Sequence, residues 1–156
     1  MNIEEILSKY KPQKENLLQI LHEIQDNHPQ HYLTEDALLT VAGYLKMTMS
    51  AIYGVTGYYS MFSTKPRGEF IIRICESPVC NMFGSKEITN KLKELLQINI
   101  NETTSDGLFT LEMSECLGLC GNKPSMMINQ ETYTGLNEGN IEFIINDLRN
   151  NKKKVS

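Results

Sequence analysis

Four cysteines, arranged in two close pairs, are the residues of this sequence best suited to chemistry. Cys75 and Cys80 are separated by four residues, and Cys116 and Cys120 are separated by three. Each pair follows an apolar run, so two loops could bring the four thiols together. Four thiolates can hold a [2Fe–2S] cluster or a structural zinc ion, and the same number of cysteines can form two disulfides.

The spacing of the cysteines favours a two-iron cluster over the other two fates. Zinc ribbons and knuckles typically use shorter C-x-x-C turns, although wider spacings occur. Disulfides form in oxidising compartments, and residues 1–30 contain no basic stretch followed by an apolar segment, so we expect no secretory signal. A zinc-stabilised interaction module and a thiol–disulfide redox protein remain the alternatives to an electron carrier.

Length, composition and motifs exclude several other classes of function. The chain has 156 residues, a net charge of −4 and no evident basic face, which argues against nucleic acid as a partner. No apolar run approaches the roughly 20 residues that a membrane span needs. The sequence also lacks the glycine-rich nucleotide and phosphate motifs and any hydrolase arrangement. We therefore expect a cytoplasmic protein without a substrate site of its own.

The elements that position the cysteines are predicted to form an α+β protein, in which an N-terminal helical bundle precedes an α/β domain. Residues 1–66 show apolar residues at helical spacing, and Thr34 is placed to cap one of the helices. Tyr53, Tyr58, Tyr59 and Phe62 are interpreted as core, with docking of a partner as the alternative. The predicted buried helical positions are Leu17, Leu18, Leu21, Ile24, Leu38, Val41, Ala42 and Leu45.

Residues 67–150 are predicted to form the α/β domain, and residues 151–156 a solvated tail. Strands are expected at 70–74, 108–113, 125–128 and 132–134, with helices over 85–96 and from about residue 137. Both cysteine pairs then follow the carboxyl ends of central strands, where ligand sites of open α/β sheets collect. Gly118 and Gly121 flank Cys120 and would let its loop turn amide groups towards a ligand.

Charged residues beside the cysteines are expected to tune a bound cluster. Glu76 and Glu115 each neighbour a cysteine and should lower the reduction potential, because reduction adds negative charge to the site. Lys123 and Arg73 are expected to offset them. The potential is predicted to be low, comparable to the roughly −400 mV of clusters that are ligated only by cysteine.

Taken together, five sequence motifs resemble those of one known family. From about Leu17 to Leu148 the chain is similar to the thioredoxin-like [2Fe–2S] ferredoxin subunits of NADH dehydrogenases, such as the 24 kDa subunit of complex I. The same family includes small subunits of NAD-linked or electron-bifurcating [FeFe]-hydrogenases and of formate dehydrogenases. The motifs are Cys75-x4-Cys80, ECLGLCG from Glu115 to Gly121, YGVTGYYSMF from Tyr53 to Phe62, KPRG from Lys65 to Gly68, and ETTSDGLFTLE from Glu102 to Glu112.

The resemblance implies a thioredoxin-like α/β domain that carries a [2Fe–2S] cluster on Cys75, Cys80, Cys116 and Cys120. It implies one-electron exchange with a flavin- and NAD-binding iron–sulfur subunit, which alone would bind FMN and NAD(P)H. It also implies a larger catalytic iron–sulfur subunit in the same oxidoreductase complex. That complex is expected to be of the hydrogenase type or of the NADH:quinone oxidoreductase type.

Overall fold

The computed structural model describes residues 2–155, with side chains described for residues 2–150. The chain divides into two compact units, Met1–Glu69 and Phe70–Ser156, and each unit has its own hydrophobic core. Of the predicted tail, the backbone of residues 151–155 continues the last helix, whereas the side chains of this segment and Ser156 lie outside the described residues.

The described part of the first unit contains four α-helices. They are α1 (Ile3–Ser8), α2 (Leu17–Asn27), α3 (Glu35–Leu45) and α4 (Met49–Tyr58), and a short 3-10 helix, Lys14–Asn16, precedes α2. Among residues 2–155 no single helix is long and apolar enough to cross a membrane, and α3 and α4 meet that test only as a pair bent by 119°.

Helix starts and buried faces in this unit follow from local sequence. Thr34 caps α3 as predicted, because its hydroxyl oxygen accepts a hydrogen bond from the Ala37 amide at 3.2 Å. The four buried positions predicted on α3 are all buried, whereas Leu18 on α2 is only half-buried and Ile20 is buried in addition. The buried Gln25 side chain also contributes, since it accepts a hydrogen bond from the Ser63 amide at 2.8 Å.

The interpretation of the aromatic run as core is wrong for two of its residues. Phe62 is buried, but Tyr53 is 43% exposed and Tyr58 is 81% exposed. Helix α4 faces the core with Ile52, and successive residues turn by about 100° around a helix. Tyr53 and Tyr58 therefore point away from the buried side of α4.

The second unit is a five-stranded mixed sheet with three helices. In chain order its elements are β1 (Phe70–Cys75), α5 (Pro78–Met82), α6 (Ser85–Leu96), β2 (Glu102–Thr103), β3 (Phe109–Ser114), β4 (Ser125–Ile128), β5 (Glu131–Thr134) and α7 (Glu138–Val155). The predicted strands and the two long helices are present, and α5 and β2 are additions. The strand order is β2-β3-β1-β4-β5.

The centre of this sheet is the parallel pair β1 and β3. Ile72 lies opposite Leu111 in the register, and both side chains are fully buried. The remaining strand pairs are antiparallel. Helices α6 and α7 complete the core with their apolar faces, as the near-continuous apolar sequence of a central strand requires. Their buried residues in this core are Ile88, Leu92, Leu96, Ile141 and Ile145.

Candidate metal centre

The register of the parallel strands places both cysteine pairs at the same edge of the sheet. Cys75 is the last residue of β1 and lies opposite Ser114, the last residue of β3. One further backbone hydrogen bond, from the Glu76 amide to the Ser114 carbonyl at 2.9 Å, connects the segments that follow the two strands. Cys116 follows two residues later. The site therefore forms at the carboxyl ends of the central strands, where the sequence predicts it.

Helix α5 shapes the loop that carries the first pair. Ser77 is its N-cap and Pro78 its first residue, a combination that starts helices because proline fixes the backbone and lacks the amide hydrogen. The Ser77 hydroxyl oxygen accepts a hydrogen bond from the Cys80 amide at 3.4 Å. This single turn brings Cys80 back to Cys75, so that the two side chains hydrogen-bond each other. Both cysteines are 1% exposed.

The second pair lies on an exposed loop that contacts the first. Cys116 and Cys120 are both solvent-exposed and hydrogen-bond each other. The Leu117 amide, between them in sequence, donates a hydrogen bond to the sulfur of Cys75. Gly118 has a φ of 76° and allows the loop to turn as expected. A hydrogen bond from the backbone of the second loop to a cysteine of the first loop therefore connects the two loops.

Gly121 does not play the role predicted for it, because its φ is not positive. The loop bends at Gly118 and turns at Cys120–Gly121 without a positive φ at Gly121. The Asn122 carbonyl accepts a hydrogen bond from the Gly135 amide at 3.0 Å. The Lys123–Pro124 peptide bond that leads into β4 is cis.

The four thiols act on one another electrostatically. Burial raises the pKa of Cys75, but hydrogen bonds from the Ser77 hydroxyl, the Leu117 amide, the Ser77 amide and Cys80 together lower it to about 7. The pKa of Cys120 is raised by its hydrogen bond with Cys116 and by the charge of Cys116, then by burial and by the charges of Cys80 and Cys75. A thiol with a pKa near 7 is thiolate for part of the time at neutral pH, and the thiolate is the form that binds metals.

Three serine hydroxyls surround the first pair, and the sequence does not identify them as part of the site. The Ser77 Oγ lies 3.3 Å from the Cys75 Sγ, and the buried Ser125 Oγ lies 3.7 Å from the Cys80 Sγ. Ser85, also buried, donates to the backbone carbonyl of Cys75 at 2.6 Å. The only local signal was the Ser77-Pro78 pair, which is typical of a helix start.

The charged residues near the site differ in their exposure to solvent and in their charged or aromatic partners. Glu76 and Glu115 are both exposed. Arg73 forms an ion pair with Glu112 at 3.1 Å, so its charge is locally compensated. Lys123 is half-buried, with its ammonium group 4.3 Å from the centre of the Phe83 ring.

These residues fit an iron–sulfur cluster by number and type. All four cysteines are free thiols, and two pairs match the two thiolates that each iron of a [2Fe–2S] cluster takes. Among the side chains of residues 2–150, no group of three or more histidine, cysteine or acidic residues is arranged so that it could hold a metal ion. The four cysteines are thus arranged as two pairs at one edge of the sheet.

Comparison with known proteins gives concordant matches over nearly the whole chain. The chain is 34% identical to an NADH-quinone oxidoreductase subunit of Rickettsia felis over 151 residues, which cover 96% of this chain and 90% of that protein. It is 30% identical to the corresponding protein of Mycobacterium bovis over 155 residues, 99% of this chain. The chain spans only 61% of the length of that mycobacterial relative.

A solved structure and a family profile agree with these relatives. The fold is similar to that of an air-oxidised NAD+-reducing [NiFe]-hydrogenase, with a TM-score of 0.76 over 87% of this chain and 23% of that chain, at 20% identity. The profile of thioredoxin-like [2Fe-2S] ferredoxins matches residues 3–149. The resemblance drawn from the sequence motifs is confirmed: the chain belongs to the thioredoxin-like [2Fe-2S] ferredoxin family.

Proposed function

We propose that this chain is a one-electron-transfer subunit of an NAD(P)H-linked oxidoreductase complex. Cys75 and Cys80 would hold one iron of a [2Fe–2S] cluster, and Cys116 and Cys120 the other. When bound, such a cluster accepts and releases single electrons. The observation that carries the proposal is the position of both cysteine pairs at one edge of the sheet, because Cys75 ends β1 opposite the last residue of β3 and Cys116 follows two residues later.

The residues of this chain have separate roles in the proposed site. The buried pair, Cys75 and Cys80, is shielded from water by the sheet and by α5. The exposed pair, Cys116 and Cys120, gives the site an open side through which electrons can enter and leave. The Leu117 amide stabilises negative charge on the first pair by donating a hydrogen bond, and a backbone amide does not itself ionise.

We also infer a two-part organisation in which a helical bundle, residues 1–66, is joined to a thioredoxin-like cluster domain, residues 67–150. The separate cores of the two compact units support this division. The bundle contains no predicted cluster ligand, so we assign it to assembly of the complex. Tyr58 and Tyr53, exposed on α4, are of the residue type that interfaces bury.

The partner proposed for this chain is a flavin- and NAD-binding iron–sulfur subunit, together with a larger catalytic iron–sulfur subunit. The names of the relatives, an NADH-quinone oxidoreductase subunit and an NAD+-reducing hydrogenase, support an NAD-linked complex. FMN and NAD(P)H would be bound by the partner, since this sequence has no nucleotide-binding motif. The chain would then contribute electron transfer and no substrate site.

Anaerobic purification of the full chain tests the cluster. We expect a brown protein with two irons and two sulfides, and with visible charge-transfer bands that disappear in Cys116→Ser. Ser105→Ala, in the exposed turn before β3, is the matched control and should retain the bands. A colourless protein with one zinc, or one without metal and with two disulfides, would overturn the proposal in favour of the zinc module or the thiol redox protein.

Mixing experiments test the partner. NADH alone should leave the visible spectrum of the isolated chain unchanged, because the chain would lack a site for it. Addition of the co-purified flavin-containing subunit should allow an excess of NADH to bleach part of the spectrum, because the potential predicted for the cluster is low. Bleaching of the isolated chain by NADH would contradict the absence of a nucleotide site.

A further inference from the structure

Two serine hydroxyls lie against the sulfur atoms of the buried cysteine pair, one on each sulfur. Ser77 Oγ is 3.3 Å from the Cys75 sulfur, and Ser125 Oγ is 3.7 Å from the Cys80 sulfur. They reach the site from different elements, the N-cap of α5 and the first residue of β4. The exposed sulfurs of Cys116 and Cys120 have no such hydroxyl among the described contacts.

The hydrogen-bonding inventory of Ser77 fixes the direction of its bond when Cys75 is a ligand. A hydroxyl has one proton to donate and two lone pairs that accept, whereas a thiolate can only accept. In the free protein the Ser77 hydroxyl oxygen accepts hydrogen bonds from the Cys75 thiol and from the Cys80 amide. Once Cys75 is a thiolate it can only accept, so the first bond reverses and the Ser77 hydroxyl donates to the Cys75 sulfur. A single side chain therefore orients both cysteines of the pair.

Burial fixes the direction of the hydrogen bond of Ser125 in a similar way. The residue is 1% exposed, so its hydroxyl has no access to bulk water, and the Cys80 sulfur is the partner within reach. When Cys80 is a thiolate, the Ser125 hydroxyl must donate. Its position is fixed by the backbone pairing of β4 with β5, where Ser125 lies opposite Thr134.

We propose that Ser77 and Ser125 are positioning residues that donate O–H···S hydrogen bonds to Cys75 and Cys80, and that these bonds raise the reduction potential of the cluster. This inference rests on the proposed function. A hydrogen bond to a ligating sulfur draws electron density from it and favours the more negative, reduced state, and such bonds are one of the means by which proteins set cluster potentials. The two hydroxyls therefore counteract the lowering effect of the neighbouring carboxylates.

Redox titration of the full chain loaded with its cluster tests the proposal. At the potential where the wild type is half reduced, Ser77→Ala and Ser125→Ala should each lower the ratio of reduced to oxidised protein about threefold to tenfold. For one electron this is a fall in potential of about 30 to 59 mV. The charge-transfer bands should move to lower energy, because a sulfur without its hydrogen bond is the better electron donor.

Two further variants distinguish hydrogen bonding to sulfur from a merely structural role. Ser77→Thr keeps both the hydroxyl and the capping ability and should restore the wild-type potential. Ser85→Ala removes a buried hydroxyl that donates to the carbonyl oxygen of Cys75 rather than to its sulfur, so its potential should stay at the wild-type value.

The outcomes separate this inference from the proposed function. A wild-type chain that binds no iron overturns both. A wild-type chain with a cluster, but with unchanged potentials in both alanine variants, overturns only the role of the serines. The same holds if Ser85→Ala shifts the potential as far as Ser77→Ala does, because the effect would then follow from loss of packing around Cys75.

Resonance Raman spectra give a second readout: the shift of the iron–thiolate bands on exchange into D2O should be smaller in Ser77→Ala and Ser125→Ala than in the wild type.

Discussion

Neutralising the carboxylate beside Cys116 should make the cluster easier to reduce. Glu115 is exposed, immediately precedes Cys116 and makes no described ion pair within residues 2–150. Reduction adds one negative charge to the site, and the carboxylate repels that charge. Glu115→Gln keeps the size and polarity of the side chain while removing its charge, so we expect the reduction potential to rise.

The exposure of Glu115 determines the size of this effect. At about 8 Å, and with the effective dielectric constant of about 40 to 80 that suits a solvated side chain, one charge contributes about 0.5 to 1 kcal/mol. For a one-electron couple this corresponds to a rise of about 20 to 45 mV. The shift should decrease with added salt, because the screening length is about 10 Å at 0.1 M ionic strength. Lys123→Gln, which removes a half-buried cation, should shift the potential downwards.

The assay is a redox titration of the cluster-loaded chain at low ionic strength, followed by visible absorbance. Glu94→Gln is the matched control, because Glu94 lies nine residues along α6 from Ser85, or about 14 Å from the end that contacts Cys75. Its potential should equal that of the wild type. An unchanged or lower potential in Glu115→Gln would refute the electrostatic reasoning, as would an equal rise in the Glu94 control.

Three further predictions concern stability of the fold, measured by denaturant unfolding. Thr34→Ala removes the hydroxyl cap of α3 and should cost about 1 kcal/mol. Gly135→Ala should cost about 1 to 2 kcal/mol, because φ is 62° there and a Cβ would come within 2.6 Å of the Asn122 side chain. Asp106→Asn should cost about 1 kcal/mol at pH 7 after allowance for solvent exposure. Hydrogen bonds from the Thr104 hydroxyl and the Leu108 amide lower the pKa of Asp106, so its contribution is complete above the ordinary value of 3.8 and is lost as the pH falls through the lowered one.

Each of these predictions has its own contradicting result. Thr40→Ala is the control for the helix cap, since its hydroxyl donates back to Asp36 within α3, and an equal loss in both variants would show that capping is not the cause. For Gly135→Ala, wild-type stability would mean that the turn relaxes without strain. For Asp106→Asn, a loss of stability that shows no decrease as the pH falls through the lowered pKa of Asp106 would exclude the charged carboxylate as its source.

Regular elements were predictable where their apolar pattern extends over several turns or strand residues. Helix α6 was predicted with its observed bounds, and the hairpin of β4 and β5 turns at the predicted residues. Helix α1 and strand β2 were not predicted, because six and two residues are too few to show a period. Helix α5 has five residues, and only its serine–proline start indicates it.

Only those parts of the candidate site that are formed by residues close together in sequence could be predicted. Four cysteines in two pairs indicate a metal centre without knowledge of the fold, and their assignment as ligands stays a prediction. The Ser125 hydroxyl could not be identified from sequence, because it is 45 residues from Cys80 and reaches it through strand pairing. The compensation of Arg73 by Glu112 likewise depends on the register of β1 with β3.

Strands β1 and β3 end at paired residues, Cys75 and Ser114, and this register sets the distance between the two cysteine loops. One residue inserted into β3 would displace Cys116 by about 3.3 Å and turn every following side chain to the opposite face of the sheet. The connection between α6 and β3 lies at the other end of that strand, so added length there would leave the spacing intact. Natural or engineered insertions should therefore be better tolerated in the loop between α6 and β2, around Asn99, than between Phe109 and Cys116.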